Sequence, residues 1–540
     1  MTRAGAARTR PRAALGVAAA AVLAVHACDA PGAQALQARL WTPDERTLVT
    51  DGGRIAALAV SRTQVLAATP DAILVYDVAR RAWQAPILVP GPRASTVTAL
   101  GVDPVSGEVW VGTSTGELLR GLPGFAAWEG VAAPVRGPIE RITAYPPESA
   151  TFVLAGEEWW RIDWASAVAT EASAGSVPVA VREEAGRGPD DPFLAAARNS
   201  LGLDPQMRRW TITAVARGIE PDEFWVGTDG GGMVRFQSRR NEREWLRFGL
   251  VSRGAASVAR FGDGLWFGGD GRGRHNGVAA ASPDLGAWRQ HDASQGAPAG
   301  FVAEMATDGR RVWFAADGGL FRFDPGDDRR PWSRFTAADG LPSDRVRSVL
   351  HEAGRIWAGT DRGLVAFDTA GRMVAGPYLT GRRVARIALE RDTLWIASDD
   401  GLRMLALPGT AAPRDPGAAA VPAGLPAAVA RDRARDVVVG AGIWALTDAG
   451  LFRLYGNGPR GPVRDAAIQR IGPPVRLAAA DGRLWVAGPQ GIAHLDPVTG
   501  AWETFTVPAD IPAGPVLDVL PDGDEVWVAI PAGALRLRWR

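Results

Sequence analysis

Apolar and polar residues alternate along most of this chain in short segments, and glycine and aspartate separate the segments. VRSVLHE (346–352) and LVAFD (364–368) have a period of two, which places successive side chains on opposite faces of a β-strand. The turn AGR (353–355) directly follows the first of these segments, and glycine tolerates the positive φ that tight hairpins require. The pattern predicts many short antiparallel strands and few helices.

These strands form a repeat marked by a tryptophan, as in RIWAGTD (355–361), which returns at intervals of roughly 40–50 residues apart from one longer gap. A fourth strand in several repeats carries a second tryptophan. Eleven repeats of four strands predict the blades of an all-β β-propeller. The first position is occupied by Leu66, Trp110, Val153, Trp225, Trp266, Trp313, Trp357, Trp395, Trp444, Trp485 and Trp527, and the second by Trp83, Trp128, Trp245, Trp288, Trp332 and Trp502.

The two ends of the repeat region predict how it closes. The last repeat lacks a fourth-strand tryptophan, and Trp41 precedes the first repeat without inner strands of its own. We therefore expect an N-terminal strand with Trp41 to complete the blade of Trp527, because ring closure removes exposed sheet edges. Eleven blades exceed the usual number in one ring, so two packed rings are favoured, with repeats 1–3 and 9–11 in one and repeats 4–8 in the other. One large ring is the alternative.

The N-terminus has the features of an export signal, because four arginines precede a run of about fifteen apolar residues. VHAC (25–28) resembles a bacterial lipobox and predicts lipidation of Cys28, the only cysteine. The alternative is cleavage after AQA (33–35), which would give a soluble secreted protein. The predicted boundaries are a signal at 1–27, a tether and closing strand at 28–49, repeats 1–3 at 50–166, an insertion with a short helix at 167–209, repeats 4–8 at 210–408, a Pro/Ala-rich linker at 409–429 and repeats 9–11 at 430–540.

Charge and chemistry narrow the classes of function. All 60 cationic side chains are arginine and the formal net charge is +1, so we expect no nucleic-acid partner and no membrane contact other than a lipid anchor. The absence of lysine excludes a P-loop and Schiff-base chemistry. GTSTG (112–116) matches a hydrolase motif at Ser114, but it occupies the register of a hairpin turn. The sequence predicts no catalytic residue, no metal and no cofactor.

The segment FTAADGLPSDRVRSVLHEAGRIWAGTDRGLVAFD (335–368) resembles the two-component regulator propeller repeat. The resemblance is close here and around FWVGTDGGG (224–232), and it is limited to the tryptophan strand elsewhere between about 50 and 540. It implies the propeller fold. Propellers of that family are commonly periplasmic sensor regions of histidine kinases, whereas no kinase segment or DNA-binding helix follows the repeats here.

Six repeats have aspartate four residues after the marker position. The structural interpretation is that each aspartate bonds its own turn backbone. The functional interpretation is that these turns share a face with the loops entering the inner strands, so we expect a ligand at Asp229 and Asp361 with Arg362 and Arg345.

The predicted function is a non-catalytic, exported envelope module, periplasmic or at the outer membrane, that binds, senses or scaffolds a protein or glycan. The alternatives are a propeller lyase or glycan-active hydrolase, and a soluble sensor for a separate kinase. The six aspartates that lie four residues after the marker position are Asp229, Asp270, Asp317, Asp361, Asp399 and Asp448.

Overall fold

The structure is a computed structural model that describes residues 41, 45–70, 72–89, 96–121, 128–185, 198–272, 275–407, 419–440, 442–455 and 461–540. The predicted signal, Cys28 and residues 409–418 of the Pro/Ala-rich linker lie outside these residues. Within these ranges, no helix is both long enough and apolar enough to cross a membrane.

The described residues form eleven antiparallel sheets, numbered here in chain order. Sheet 1 contains β2 (Ala57–Val60), β3 (Gln64–Ala68), β4 (Ala72–Asp77), β5 (Ala82–Trp83) and β6 (Ile87–Leu88). Sheet 2 contains β7 (Val97–Val102), β8 (Val109–Thr113), β9 (Leu118–Gly121) and β10 (Trp128–Val131), and sheet 3 contains β11 (Arg141–Tyr145), β12 (Ala150–Ala155), β13 (Glu158–Asp163) and β14 (Ala169–Ala172). Sheet 4 contains β15 (Ile212–Arg217), β16 (Glu223–Thr228), β17 (Met233–Gln237) and β18 (Glu242–Leu246).

Sheet 5 contains β19 (Ala255–Phe261), β20 (Gly264–Gly269), β21 (Gly277–Ala281) and β22 (Trp288–Asp292), and sheet 6 contains β23 (Val302–Thr307), β24 (Val312–Ala316), β25 (Gly319–Phe323) and β26 (Trp332–Phe335). Sheet 7 contains β27 (Val346–Glu352), β28 (Arg355–Thr360), β29 (Gly363–Asp368) and β30 (Met373–Tyr378). Sheet 8 contains β31 (Val384–Glu390), β32 (Thr393–Ser398) and β33 (Gly401–Ala406).

Sheet 9 contains β34 (Ala434–Gly440), β35 (Gly442–Thr447) and β36 (Gly450–Arg453). Sheet 10 contains β37 (Arg476–Ala480), β38 (Arg483–Gly488), β39 (Gly491–Leu495) and β40 (Trp502–Thr506). Sheet 11 contains β41 (Asp518–Asp522), β42 (Glu525–Ile530) and β43 (Gly533–Arg538) together with β1 (Arg46–Val49). The described helices are α1 (Val179–Ala185), α2 (Arg198–Leu201), α3 (Ala427–Ala430) and α4 (Ala466–Arg470).

The marker tryptophan lies in the second strand of its sheet, and in sheets 2, 4, 6 and 9 it packs against an arginine of the third strand. Trp225 is fully buried and lies opposite Arg235, whose guanidinium carbon is 5.7 Å from the ring centroid. Trp313 and Arg322 form the same cross-strand pair at 5.6 Å. A cation–π contact therefore recurs in these four sheets, whereas alanine lies opposite Trp266 and Trp357.

The outermost strand of sheet 11 comes from the N-terminal part of the chain. β1 pairs with β43, and Leu48 lies opposite Leu535. Trp41 is not part of this strand, contrary to the sequence-based expectation. Its ring centroid lies 6.0 Å from that of Phe505 in sheet 10, and its Nε1 donates to Asp510 Oδ1 at 3.0 Å. The pairing of β1 was predicted correctly, but the indole packs on the neighbouring sheet.

Contacts between first strands give the order of the sheets. In sheets 5 to 11, β19, β23, β27, β31, β34, β37 and β41 contact one another in succession, and β41 also contacts β19. In the earlier part of the chain, β2 contacts β7 and β15, and β7 contacts β11. The first strand of sheet 11 therefore lies beside that of sheet 5. The expected grouping of repeats 1–3 with repeats 9–11 in one ring stays a prediction.

Helical segments and a shared core connect the earlier sheets to the later ones. Between sheets 3 and 4, Val181 of α1 packs on sheet 3 and Leu201 of α2 packs on sheet 4. The segment that follows β1 and the segment that leads into β19 lie side by side, since Leu250 N donates to Thr50 O at 3.0 Å. One hydrophobic cluster joins sheets 1, 4, 5 and 11 through Tyr76, Trp225, Phe267 and Trp527.

Candidate functional site

The first strands of sheets 6 to 9 share an irregular register near their beginning. The bulges lie just before Glu304, Ser348, Arg386 and Asp436. A bulge changes the direction of the side chain that follows it. Here three of the four side chains accept a hydrogen bond from the backbone of the next first strand: Glu304 Oε2 from Val349 N (3.0 Å), Ser348 Oγ from Ile387 N (3.0 Å) and Asp436 Oδ2 from Leu477 N (2.8 Å).

The same kind of link joins sheets 5, 6 and 11. Ser257 Oγ donates to Val302 O at 2.8 Å, and Asp518 Oδ2 accepts from Val258 N at 3.2 Å. These polar side chains satisfy backbone groups that would otherwise be buried without partners. They therefore hold neighbouring first strands at a fixed spacing.

Ion pairs connect these buried groups. Arg386 lies 3.1 Å from Glu304 and 3.6 Å from Asp436, and Arg476 lies 3.0 Å from Asp518. Burial raises the pKa of Glu304 and of Asp436, although Arg386 and Arg476 act in the opposite direction. Burial opposes the charge of Arg386, but the surrounding carboxylates outweigh it and raise the pKa of the guanidinium. Groups paired in this way support the strands and are not available to a ligand.

Above this layer, at the beginning of five first strands, lies a cavity of about 260 Å³ that we call the arginine cavity. Its charged lining is entirely cationic, and the other lining residues are apolar. Guanidinium groups bind carboxylate and phosphate oxygens with paired hydrogen bonds. The lining residues are Phe301, Ala303, Arg347, Arg383, Ala385, Arg433, Arg435, Val475 and Arg476.

Carboxylates from the turns after the second strands neutralise part of this charge. Arg347 Nε lies 2.9 Å from Asp361 Oδ1, and its Nη1 lies 3.4 Å from Asp317. Arg435 Nε lies 2.5 Å from Asp448 Oδ1. Burial works against ionisation of Asp361, but the hydrogen bond and charge of Arg347 outweigh it and lower the pKa of the carboxyl.

Two guanidinium groups of the cavity are less well compensated. Arg383 Nε is buried without a hydrogen-bond partner, and Asp361 is 3.6 Å away. Burial and the positive charges of Arg347 and Arg433 lower the pKa of Arg383. Arg433 is exposed and forms no ion pair with any described carboxylate. The arginine cavity therefore has cationic donors that the protein itself leaves available.

The four residues predicted to bind a ligand are only partly brought together. Arg345 lies 3.9 Å from Asp361 and is not among the residues that line the arginine cavity. Arg362 follows in the same turn, where its amide donates to Thr360 Oγ1 at 3.1 Å. Asp229 belongs to sheet 4 and lies 3.2 Å from Arg54. Whether these residues bind a ligand stays a prediction.

The turn itself is held mainly by the residue before the aspartate. Thr228 Oγ1 accepts from Gly231 N at 3.0 Å, as Thr360 does from Arg362. The structural interpretation of the aspartates is correct for Asp270, whose Oδ1 accepts from Arg272 N at 3.0 Å. In Asp361 the carboxylate instead accepts from the side chain of Arg347.

Sequence reasoning missed the arginines of the cavity, although a signal was present. An arginine occupies the residue just before the first strand in DRVRSV (344–349), RRVARI (382–387) and DRARDV (432–437). In the first and third segments a second arginine follows two residues later, as in Arg433 and Arg435. A spacing of two places both side chains on one face of a strand.

The hydrolase-like motif at Ser114 and the buried residue His494 both have structural partners. Ser114 lies in the turn after β8, and its Oγ accepts from Thr96 N at 3.1 Å. His494 packs between Trp485 and Trp539, with ring centroids 4.5 and 4.8 Å away. In the part of the chain that the structure covers, no group of three or more His, Cys, Asp and Glu side chains could hold a metal ion.

No family model and no curated protein sequence matches the chain. Among solved structures, it is similar to the extracellular domain of a hybrid two-component system from B. thetaiotaomicron, with 12% identity, 90% of this chain and 69% of that chain covered, and a TM-score of 0.38. It is also similar to PorZ, a surface component of the type-IX secretion system of Porphyromonas gingivalis, with 13% identity, coverage of 93% and 73%, and a TM-score of 0.43. These likenesses are weak, so the account of the fold rests on the strand pairing of this chain.

Proposed function

We propose that the chain is a β-propeller protein in which sheets 5 to 11 form a ring of seven blades. The succession of first-strand contacts supports this arrangement, as do the hydrogen bonds of Ser257 with Val302 and of Asp518 with Val258. Sheets 1 to 4, with the helical segments between sheets 3 and 4, form a smaller unit inserted between β1 and β19. In this arrangement the arginine cavity lies at one mouth of the seven-bladed ring.

The proposed function is a non-catalytic binding module of the cell envelope that holds its ligand at this mouth. The observation that carries the proposal is the composition of the cavity. Its polar lining consists of arginine, which donates hydrogen bonds and stays protonated, and so cannot act as a general base. Such a lining suits recognition of a ligand better than chemistry on it.

The setting follows from the sequence. The arginine-rich start and the apolar run that follows support export, and lipidation of Cys28 would hold the protein at a membrane surface. The proposed partner is an envelope protein or glycan, and a sensor role beside a separate histidine kinase is in keeping with the resemblance of residues 335–368. Cleavage after AQA (33–35) would leave the same module soluble.

A variant that fills the cavity tests the function without changing its charge. Ala385 lines the cavity at the beginning of β31, so Ala385→Trp should block entry of any ligand. The matched control is Ala370→Trp, at an exposed turn of sheet 7. Both variants and the wild type, at equal melting temperature, would capture partners from the envelope fraction of the source cells.

We expect wild type and Ala370→Trp to recover the same protein or glycan, and Ala385→Trp to lose it. Recovery of that partner by all three proteins would place the site elsewhere. Turnover of the captured partner by the wild type would contradict the non-catalytic part of the proposal.

A further inference from the structure

Arginines line the arginine cavity, whereas the carboxylates that pair with them do not, and this separation bears on the chemistry of its ligand. The carboxylates of Asp317, Asp361 and Asp448 lie in the turns after the second strands and contact Arg347 and Arg435. None of them is among the residues that line the cavity. The acids therefore orient the arginines, and the charged side chains that line the cavity are guanidinium groups.

The layer beneath the cavity supplies a competing charge to one lining residue, Arg476, which lies 3.0 Å from Asp518. Glu304 and Asp436 are engaged by Arg386, and Asp518 is engaged by Arg476. In the turn of sheet 8, Asp400 pairs with Arg382 and Arg403, and the charge of Asp399 opposes the lowering of the pKa of Arg383 only in part. The charged residues that line the cavity are therefore all arginines, and of these Arg433 has no ion pair with a described carboxylate.

Arg383 and Arg433 occupy equivalent positions in neighbouring sheets. Each directly precedes its first strand, β31 or β34, and these strands contact each other. The carbonyl oxygen of each accepts from the amide of the aspartate turn in its own sheet, Asp399 N or Asp448 N, at 3.1 Å. The backbone at both positions is thus fixed in the same way, and both side chains line the same cavity.

We propose that the arginine cavity binds a compact oxyanion with at least two negative charges, such as a phosphate, a sulfate or a pair of carboxylates, between Arg383 and Arg433. The volume of about 260 Å³ is near the lower end of small-molecule sites, which fits a compact group. The oxyanion is a free small anion or an acidic group of an oligosaccharide. This inference rests on the proposed function and adds the chemical class of the ligand.

Calorimetric titration of the mature protein with three probes tests the proposal. The probes are inorganic phosphate, citrate and a short oligogalacturonate, at an ionic strength held constant with sodium chloride. The test variant is Arg383→Gln/Arg433→Gln, which keeps hydrogen-bonding side chains and removes the charges. The control is Arg372→Gln, because Arg372 is 83% exposed and pairs with Asp368 on the outer part of sheet 7.

We expect at least one probe to bind the wild type and the control with equal affinity, and to bind the double variant at least tenfold more weakly. The affinity should also fall as salt is added, because exposed charges are screened. Binding of phosphate or citrate would assign a free anion, and binding of the oligogalacturonate alone would assign an acidic sugar. If the double variant unfolds, Arg433→Gln alone serves, because Arg433 has no ion pair to lose.

The inference is overturned if no probe binds, or if the double variant binds as the wild type does. Its failure is distinct from failure of the proposed function. Loss of the captured partner in Ala385→Trp without any anion binding would contradict the anion alone. Anion binding with partner capture unaffected by Ala385→Trp would contradict the partner site.

Discussion

Single charged residues in this molecule have opposite effects on stability, according to their burial and partners. Asp51 lies where the chain passes from β1 to sheet 1, and its Oδ1 accepts from Gly53 N at 2.8 Å. Burial outweighs that hydrogen bond and raises the pKa of Asp51 to about 6. Asp496 is partly exposed, and amide donors from Val498 and Thr499 lower its pKa.

The pKa of Asp51 predicts a pH-dependent gain in Asp51→Asn. Between about pH 4 and pH 6 the folded protein binds a proton that the unfolded chain has lost, so this group's contribution to stability falls as the pH rises through that window. Above it the ionised carboxylate costs roughly 2–3 kcal/mol. Asparagine can keep the Gly53 hydrogen bond without the charge. We expect a higher free energy of unfolding for Asp51→Asn at pH 7.5 and no difference from wild type at pH 4.

Urea denaturation at the two pH values measures this difference. Asp496→Asn is the control with the opposite sign, because a lowered pKa gives stability that is present at neutral pH and is lost as the pH falls. An equal gain from Asp51→Asn at both pH values would show that burial of the charge is not its cause.

At the scale of the elements, β1 is the strand whose removal has the clearest consequence. Leu48 is 7% exposed and packs with sheets 10 and 11, and the strand covers the edge of β43. We expect Leu48→Ala to lower the free energy of unfolding by about 2–3 kcal/mol in denaturant titrations. Val105→Ala, at a position 75% exposed, should change it by less than about 0.5 kcal/mol. Equal stability of Leu48→Ala and wild type would mean that β1 does not contribute to the core.

The strands could be predicted from sequence much further than the site. Period-two segments and glycine turns identify a strand from its own residues, so the second strands were placed at every marker position, including Leu66 and Val153. The helix α4 was missed, because it is short and begins at a cap made by Asp465, whose side chain accepts from Ala467 N at 2.8 Å. The arginine cavity depends on side chains from five sheets, and no local pattern reports which sheets are neighbours.

At the scale of the whole molecule, the shared hydrophobic cluster determines whether the inserted unit unfolds with the later sheets. Phe248 is 1% exposed, and its ring lies 5.3 Å from Trp83 of sheet 1 and 5.0 Å from Trp288 of sheet 5. Arg208 also joins the helical insertion to Asp292 of sheet 5 at 2.5 Å. These contacts couple the two parts without a flexible linker, so we expect one transition for residues 45–540 in differential scanning calorimetry.

Removing the ring of Phe248 should break this coupling. Phe248→Ala deletes contacts to both sheets and costs about 3–5 kcal/mol at the junction, where it weakens the contact between the two parts more than the interior of either. We expect the single transition to split, with the part containing sheets 1 to 4 unfolding at the lower temperature, because it has fewer sheets to stabilise it. Phe335→Ala, in a core cluster of sheets 6 and 7, should lower the transition temperature and leave the transition single. Two transitions in the wild type, or a single one in Phe248→Ala, would show that the cluster does not couple the two parts.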